Sequence, residues 1–233
     1  MSESPPTDRP QFDWQQTMLR IKDPKITIPF YETHFGFRTI HTYHFEEWNF
    51  SLYFMAIFPE GMAYPEPNTK ESEQLLWNLP RGVATLELTH NHGTETDESF
   101  VANNGNVEPY RGFGHIAVMT KDVYAASAEL EANGVLFKKR PDEGRMKGLA
   151  FALDPDGYWI EIVRRDAECD IALPFTLAQT MIRVKDPEAS LKFYRDILGM
   201  NLVRSSDMSD FSLYFLSHAP PDSVDRMVYE PVI

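Results

Sequence analysis

The sequence predicts an α+β fold assembled from paired βαβββ modules, with a partial extra module at the C-terminal end. Three observations carry this reading. The first is an internal repeat, which is looked for before any fold assignment because it sets the architecture. QTMLRIKDP at 16–24 recurs as QTMIRVKDP at 179–187, 163 residues further on. Phe30-Tyr31 recurs as Phe193-Tyr194, Gly36 as Gly199, and FSLYF at 50–54 as FSLYF at 211–215. The second is HIAVMTKDVYAASAELEANGVLF from His115, which repeats the same order of strand, charged turn, helix and glycine. The third is that alternating strand patterns follow: FSLYFMAIF at 50–58, VATLELTHN at 83–91 and GLAFALDPDGYWIEIV at 148–163.

The unit β-α-β-β-β therefore occurs in full at about 14–93 and 111–165, and in part from 176 to 233. Residues 1–13 read as a disordered lead, 14–165 as a first domain, 166–175 as a linker and 176–233 as a partial second domain. In the third stretch Asp186 is a good N-cap, Pro187 suits the first helical position and Gly199 terminates the helix, with Leu191, Tyr194 and Leu198 as its apolar stripe. In the second, Asp122 caps, Val123, Ala126 and Leu130 face inward and Gly134 ends the helix. The first helix is expected to be short or distorted, because Ile26, Thr27 and Ile28 are β-branched and Pro29 follows them. DPDG at 154–157 marks a tight turn. EGMAYPEPNTKESEQ at 60–74 reads as a Pro- and charge-rich surface excursion.

Bulk properties exclude several classes. With 233 residues, 42% hydrophobic and 24% charged, the chain can bury a substantial core. A net charge of −13 argues against nucleic acid and anionic membranes as partners. No apolar run is long enough to span a membrane. The opening MSESPPTDRPQFD lacks the pattern of a secretory signal. A single cysteine, Cys169, excludes an intrachain disulfide framework and fits a reducing, cytoplasmic setting.

Strand alternation then sorts the polar residues, because side chains two apart share a face. Gln16, Met18 and Arg20 share one face; Thr85, Glu87, Thr89 and Asn91 share another, opposite Leu86 and Leu88. His115 lies with Ala117, and Trp159, Glu161 and Val163 oppose Ile160 and Ile162. A glutamate inside TLEL and another inside WIEI cost several kcal/mol, roughly, if buried ionised and unpaired. A divalent cation would compensate them. Gln16, Glu87, His115 and Glu161 are thus a candidate ligand set of oxygens plus one imidazole, suited to Zn²⁺, Ni²⁺, Co²⁺ or Mn²⁺. On spacing alone the bland reading stands beside it: a strand glutamate is more often a solvent-facing residue of a half-exposed sheet.

The strings QTMLRIKDP, FSLYF, ATLELTHNHGTE, NGN, RGFGHIAV, RMKGLAF and DPDGYWIEI in combination resemble glyoxalase I, the lactoylglutathione lyases of the vicinal oxygen chelate superfamily, in the two-copy eukaryotic form with an incomplete second copy. The match covers 14–165 nearly end to end. The resemblance implies βαβββ modules paired into eight-stranded cups around a metal, zinc foremost with nickel or cobalt possible. It implies Gln16, Glu87, His115 and Glu161 as ligands, Glu161 and Glu87 as the catalytic carboxylates, and Arg20, Asn91, Arg111, Lys139, Met146 and Lys147 as glutathione contacts, Arg145 lying in the same loop. The implied reaction converts the methylglyoxal–glutathione hemithioacetal to S-lactoylglutathione, which is methylglyoxal detoxification.

In that family Gln16 and Glu87 belong to one module, His115 and Glu161 to the next, and a site joins modules of different domains. The second copy here retains Gln179 and Arg183 but has no counterpart of Glu87, His115 or Glu161. A homodimer sharing sites between first copies is therefore the expected active form, and a chain ending near Phe175 is expected to keep its activity. An inactive binding or scaffold form and a different vicinal-oxygen-chelate metalloenzyme are the alternatives.

Overall fold

The computed structural model describes residues 12, 14–80, 82–165 and 171–218. The rest of the lead, half of the expected linker with Cys169, and 219–233 lie outside them. The first module runs β1 (Gln16–Ile21), α1 (Pro24–Phe35), β2 (Arg38–Phe45), β3 (Phe50–Ala56), α2 (Lys70–Trp77) and β4 (Thr85–Asn91). The second runs β5 (Phe113–Thr120), α3 (Val123–Ala132), β6 (Leu136–Lys139), β7 (Ala150–Leu153) and β8 (Trp159–Arg164). The third contributes β9 (Thr176–Ile182), α4 (Pro187–Lys192) continued by a π turn over Phe193–Ile197, β10 (Asn201–Asp207) and β11 (Ser212–Ser217).

Sheet order repeats with the sequence. The first module forms β1-β4-β3-β2, with β1 and β4 parallel. The second forms β6-β7-β8-β5, with β5 and β8 parallel, and β9 adds to it as a fifth strand, antiparallel to β5. β10 and β11 make a separate ribbon. Among the described residues the sheets are thus four-, five- and two-stranded rather than eight-stranded cups: β9 extends the second sheet, but β10 and β11 pair only with each other.

One apolar core joins the first two modules. Leu19, Ile21, Leu86 and Leu88 of the first sheet cluster with Ile116, Val118, Ile160 and Ile162 of the second, together with Tyr31 and Phe35 of α1 and Val123 and Leu130 of α3. Those strands alternate, so their polar residues stand on the opposite faces of the two sheets. β9 closes against the same region through Thr180, whose hydroxyl meets that of its repeat partner Thr17.

Two elements differ from expectation. α1 is a regular helix of 12 residues, not a short one. Asp23 caps it by accepting from the Lys25 amide at 2.8 Å, and Pro24 opens it. Pro29 lies on the exposed face and removes a single backbone bond, while Thr27, Tyr31 and Phe35 bury a stripe at i, i+4, i+8. Packing outweighs propensity here. The stretch after residue 60 is not only a surface excursion. Thr69 and Ser72 form a capping box, and Leu76 of the resulting α2 packs with Ile40, Phe54 and Phe58 as a second small core.

The turn DPDG does more than reverse the chain. Asp156 accepts from the Lys22 amide and from the Thr27 hydroxyl, both at 2.8 Å, and buried Asp154 accepts from the Tyr31 hydroxyl at 2.9 Å. Two aspartates of the second module thereby clasp the start of α1 in the first.

Candidate metal centre

Pairing register delivers the site residues in two groups. In the first sheet, β1 and β4 align Gln16 with Thr85 and Met18 with Glu87. Gln16, Glu87 and Thr89 then share the face opposite the core. Gln16 Nε2 donates to Glu87 Oε2, and the Thr89 hydroxyl donates to Glu87 Oε1 at 3.2 Å. Burial pushes the Glu87 carboxyl upward, against the opposing effects of the Thr89 hydroxyl and the Arg20 guanidinium.

In the second sheet, β5 aligns Ala117 with Glu161 of β8 on one side and with Gln179 of β9 on the other. Three side chains converge as a result. His115 Nε2 lies 3.3 Å from Glu161 Oε2, Gln179 Nε2 donates to that oxygen at 2.6 Å, and Gln179 Nε2 lies 3.5 Å from His115 Nε2. His115 and Glu161 are both buried, and Phe151 sits edge-on to the imidazole at 5.2 Å.

This donor set fits a divalent cation. Ligands about 2.0–2.2 Å from one ion stand about 3.0–3.5 Å from each other in octahedral or tetrahedral arrays. Imidazole and carboxylate have the edge of such an array, and a rotation of the Gln179 amide exchanges Nε2 for Oε1 at the third corner. A mixed N/O set suits zinc and its neighbours in the first row. Among the described residues no group of three or more His, Cys, Asp and Glu side chains gathers at one point, so the amide is a needed member of the triad.

The four expected ligands stand within the chain as the two pairs that the module assignment implied, on different sheets: Gln16 with Glu87, and His115 with Glu161. Gln179 stands with the second pair. The repeat was the signal for it, since Gln179 is the copy of Gln16. What the repeat could not say is which strand β9 would join. The glutathione-type contacts divide in the same way. Arg20 and Asn91 are exposed on the first sheet, whereas Arg111, Lys139, Met146 and Lys147 lie on the second module.

The cations around the second module fall in two pairs, Lys139 with Lys147 and Arg111 with Arg183 of the third module. The Lys139 ammonium donates to the Leu149 carbonyl at 2.6 Å; burial first, then Lys147, hold its pKa below the usual lysine range. Lys147 Nζ donates to the Asp142 carbonyl. Arg183, the copy of Arg20, donates to the carbonyls of Gly105 and Phe113 and to the Asn106 side chain at 2.8 Å, and burial followed by Arg111 depresses its pKa. Arg111 also pairs with Glu108 at 3.1 Å. Arg145 reaches across to Asp210 between β10 and β11 at 2.6 Å.

Repeated modules with a His–Glu–Gln cluster on a sheet face define a class: paired-module α+β proteins with a polar cluster on the face opposite the core. The chain belongs to the Glyoxalase/Bleomycin resistance protein/Dioxygenase superfamily, which matches residues 14–162 and 176–229. It is 46% identical over 216 residues to glyoxalase I of Saccharomyces cerevisiae, covering 89% of this chain and 64% of that one. It is 45% identical over 154 residues to a lactoylglutathione lyase of Pseudomonas putida, covering 66% of this chain and 86% of that protein. Glyoxalase I from Zea mays superposes with a TM-score of 0.66 at 27% identity, over 94% of this chain and 65% of the maize chain. The chain thus spans less than two thirds of the yeast and maize proteins' length. Among the described residues no helix is long and apolar enough to cross a membrane.

Proposed function

We propose that the chain is a metal-dependent lactoylglutathione lyase of the cytoplasm, acting on the methylglyoxal–glutathione hemithioacetal. We place its working centre between the second module and β9. The observation that carries this reading is the convergence of His115, Glu161 and Gln179 within 2.6–3.5 Å on one face of one sheet. Similarity to the yeast and Pseudomonas proteins supports the substrate class.

His115, Glu161 and Gln179 would hold the divalent ion, with zinc the first choice. When bound, such an ion supplies Lewis acidity where negative charge develops on the substrate oxygens. The chain's own residues do the rest. Glu161 takes the proton from the carbon bearing sulfur and returns it to the neighbouring carbon, the role of a positioned carboxylate base. Arg111, Lys139 and Lys147 lie where cations can face the two carboxylates of glutathione in an otherwise acidic protein. Phe151 borders His115, with Trp159 packed on its far side, an apolar wall beside the centre.

The homodimer with shared first copies requires a partner's β1 on the edge of β5. In the structure β9 occupies that edge, which favours a centre completed within one chain. Gln16 and Glu87 remain as a second half-centre on the first sheet.

The test is thioester formation from the hemithioacetal before chelation, after it, and after Zn²⁺, Ni²⁺ or Co²⁺ is restored. Loss and recovery of turnover support the reading. Activity that survives complete metal removal overturns the metal centre, and inactivity of every loaded form favours a binding or scaffold role.

A further inference from the structure

One group in the joint between the second and third modules has no part in the chemistry above: Arg165. It is the largest fully buried side chain among the described residues, with 0% exposure. It follows β8 directly, four residues after Glu161. Its backbone amide donates to the Thr120 carbonyl at the end of β5 at 2.7 Å. Its Nη1 donates to the carbonyls of Ile171 and Leu173, both at 3.0 Å. Its Nη2 donates to the Met119 carbonyl at 3.0 Å and to the Thr176 hydroxyl at 3.3 Å.

Those acceptors are not scattered. Met119 and Thr120 end β5, Ile171 and Leu173 lie on the approach to β9, and Thr176 is its first residue. One planar guanidinium therefore binds the end of β5 and the start of β9 together. Fork geometry makes such a tie directional in a way an ammonium cannot copy. Burying a guanidinium is costly unless its donors are met, so one whose two Nη nitrogens reach four acceptors among the described residues, with Nε alone lacking a hydrogen bond, disfavours other arrangements of the chain around it.

The consequence for the centre is geometric. Strand side chains alternate, so a slip of β9 by one residue turns Gln179 to the core face and Thr180 to the metal face. The β5–β9 pairing already contains irregularities, between Phe113 and His115 and between Ala117 and Val118, so the ladder alone specifies register weakly. We propose that Arg165 is a positioning residue: it sets where β9 starts on β5 and so delivers Gln179 to His115 and Glu161. This rests on the metal-centre reading above for its functional meaning.

The experiment measures Zn²⁺ affinity by chelator competition and amide hydrogen exchange for four proteins: wild type, Arg165→Met, Gln179→Ala and the double variant. Loss of a group that orients a ligand typically weakens metal binding about 10–100-fold. Arg165→Met should show such a loss, while the double variant should bind as Gln179→Ala does. In metal-free protein Arg165→Met should lose exchange protection in β9 while β8 keeps its own. Equal loss in both backgrounds shows that Arg165 acts on general stability, and unaltered protection of β9 shows that it does not place the strand; either result overturns the proposal. If wild type binds no Zn²⁺, the metal-centre reading fails, and the exchange arm still decides whether Arg165 sets β9. Thr176→Val removes one acceptor and leaves the arginine intact. It serves if Arg165→Met does not fold, and it should weaken β9 protection and affinity in the same direction by a smaller factor.

Discussion

Gln179 Nε2 donates to Glu161 Oε2 at 2.6 Å, tying the third module to the second beside His115. On the proposed reading, the residues after 175 belong to the centre, which makes their removal a direct test.

Removing that residue tests the arrangement. Gln179→Ala is expected to weaken Zn²⁺ binding by at least about tenfold, the lower end of what losing even a ligand-orienting group costs. A chain ending at Phe175 should lose affinity in the same way, because β9 goes with it. This reverses the expectation drawn from the repeat alone. Calorimetric titration with the metal checks both, and unchanged affinity in either would remove Gln179 from the centre.

The first sheet gives the complementary measurement. Glu87→Ala should leave Zn²⁺ affinity at the His115 centre within about twofold, since separated sites behave additively. Mixing Glu87→Ala with Glu161→Ala should give no more activity than the sum of the two parents. A gain on mixing, with mixed dimers confirmed by mass, would show that partners share the centre through β1.

Glu161→Gln separates binding from proton transfer. It keeps a ligand oxygen and removes the base, so turnover should fall about 10²–10⁴-fold or more while metal remains bound. Steady-state kinetics on metal-loaded protein checks this; near-normal turnover would assign the base elsewhere.

Asp154 makes stability depend on pH. Burial first, then the neighbouring Asp156, push its pKa up to about 7 from an ordinary 3.8. The folded chain then holds a proton that the unfolded chain has released, so the stabilising contribution is full below about pH 4 and is lost as pH rises toward 7. Each pH unit in that window removes at most about 1.4 kcal/mol through this group. Asp154→Asn keeps an oxygen for the Asp156 and Tyr158 amides and offers its NH₂ to the Tyr31 hydroxyl. Denaturant unfolding from pH 4 to 8 should show the wild type losing stability relative to the variant as pH rises, with a flat difference above 7. A difference that is flat throughout, or of opposite sign, rejects the assignment.

The sequence by itself determined the modules and the facing of their side chains. The 163-residue echo, the Asp caps and the glycines announced three βα units. Period-two alternation put Gln16, Glu87, His115 and Glu161 on polar faces, because a strand can turn a side chain only one of two ways. Helix propensity misjudged α1, since three buried side chains outweighed three β-branched residues and a proline. Only the tertiary structure decided which strand lies beside β5. Repeated sequences offer the same edges and the same side chains, and β1 and β9 are near-copies. In the structure β9 takes that place, beside the buried Arg165 guanidinium and with Thr180 against Thr17. These are contacts between distant residues that no local pattern encodes.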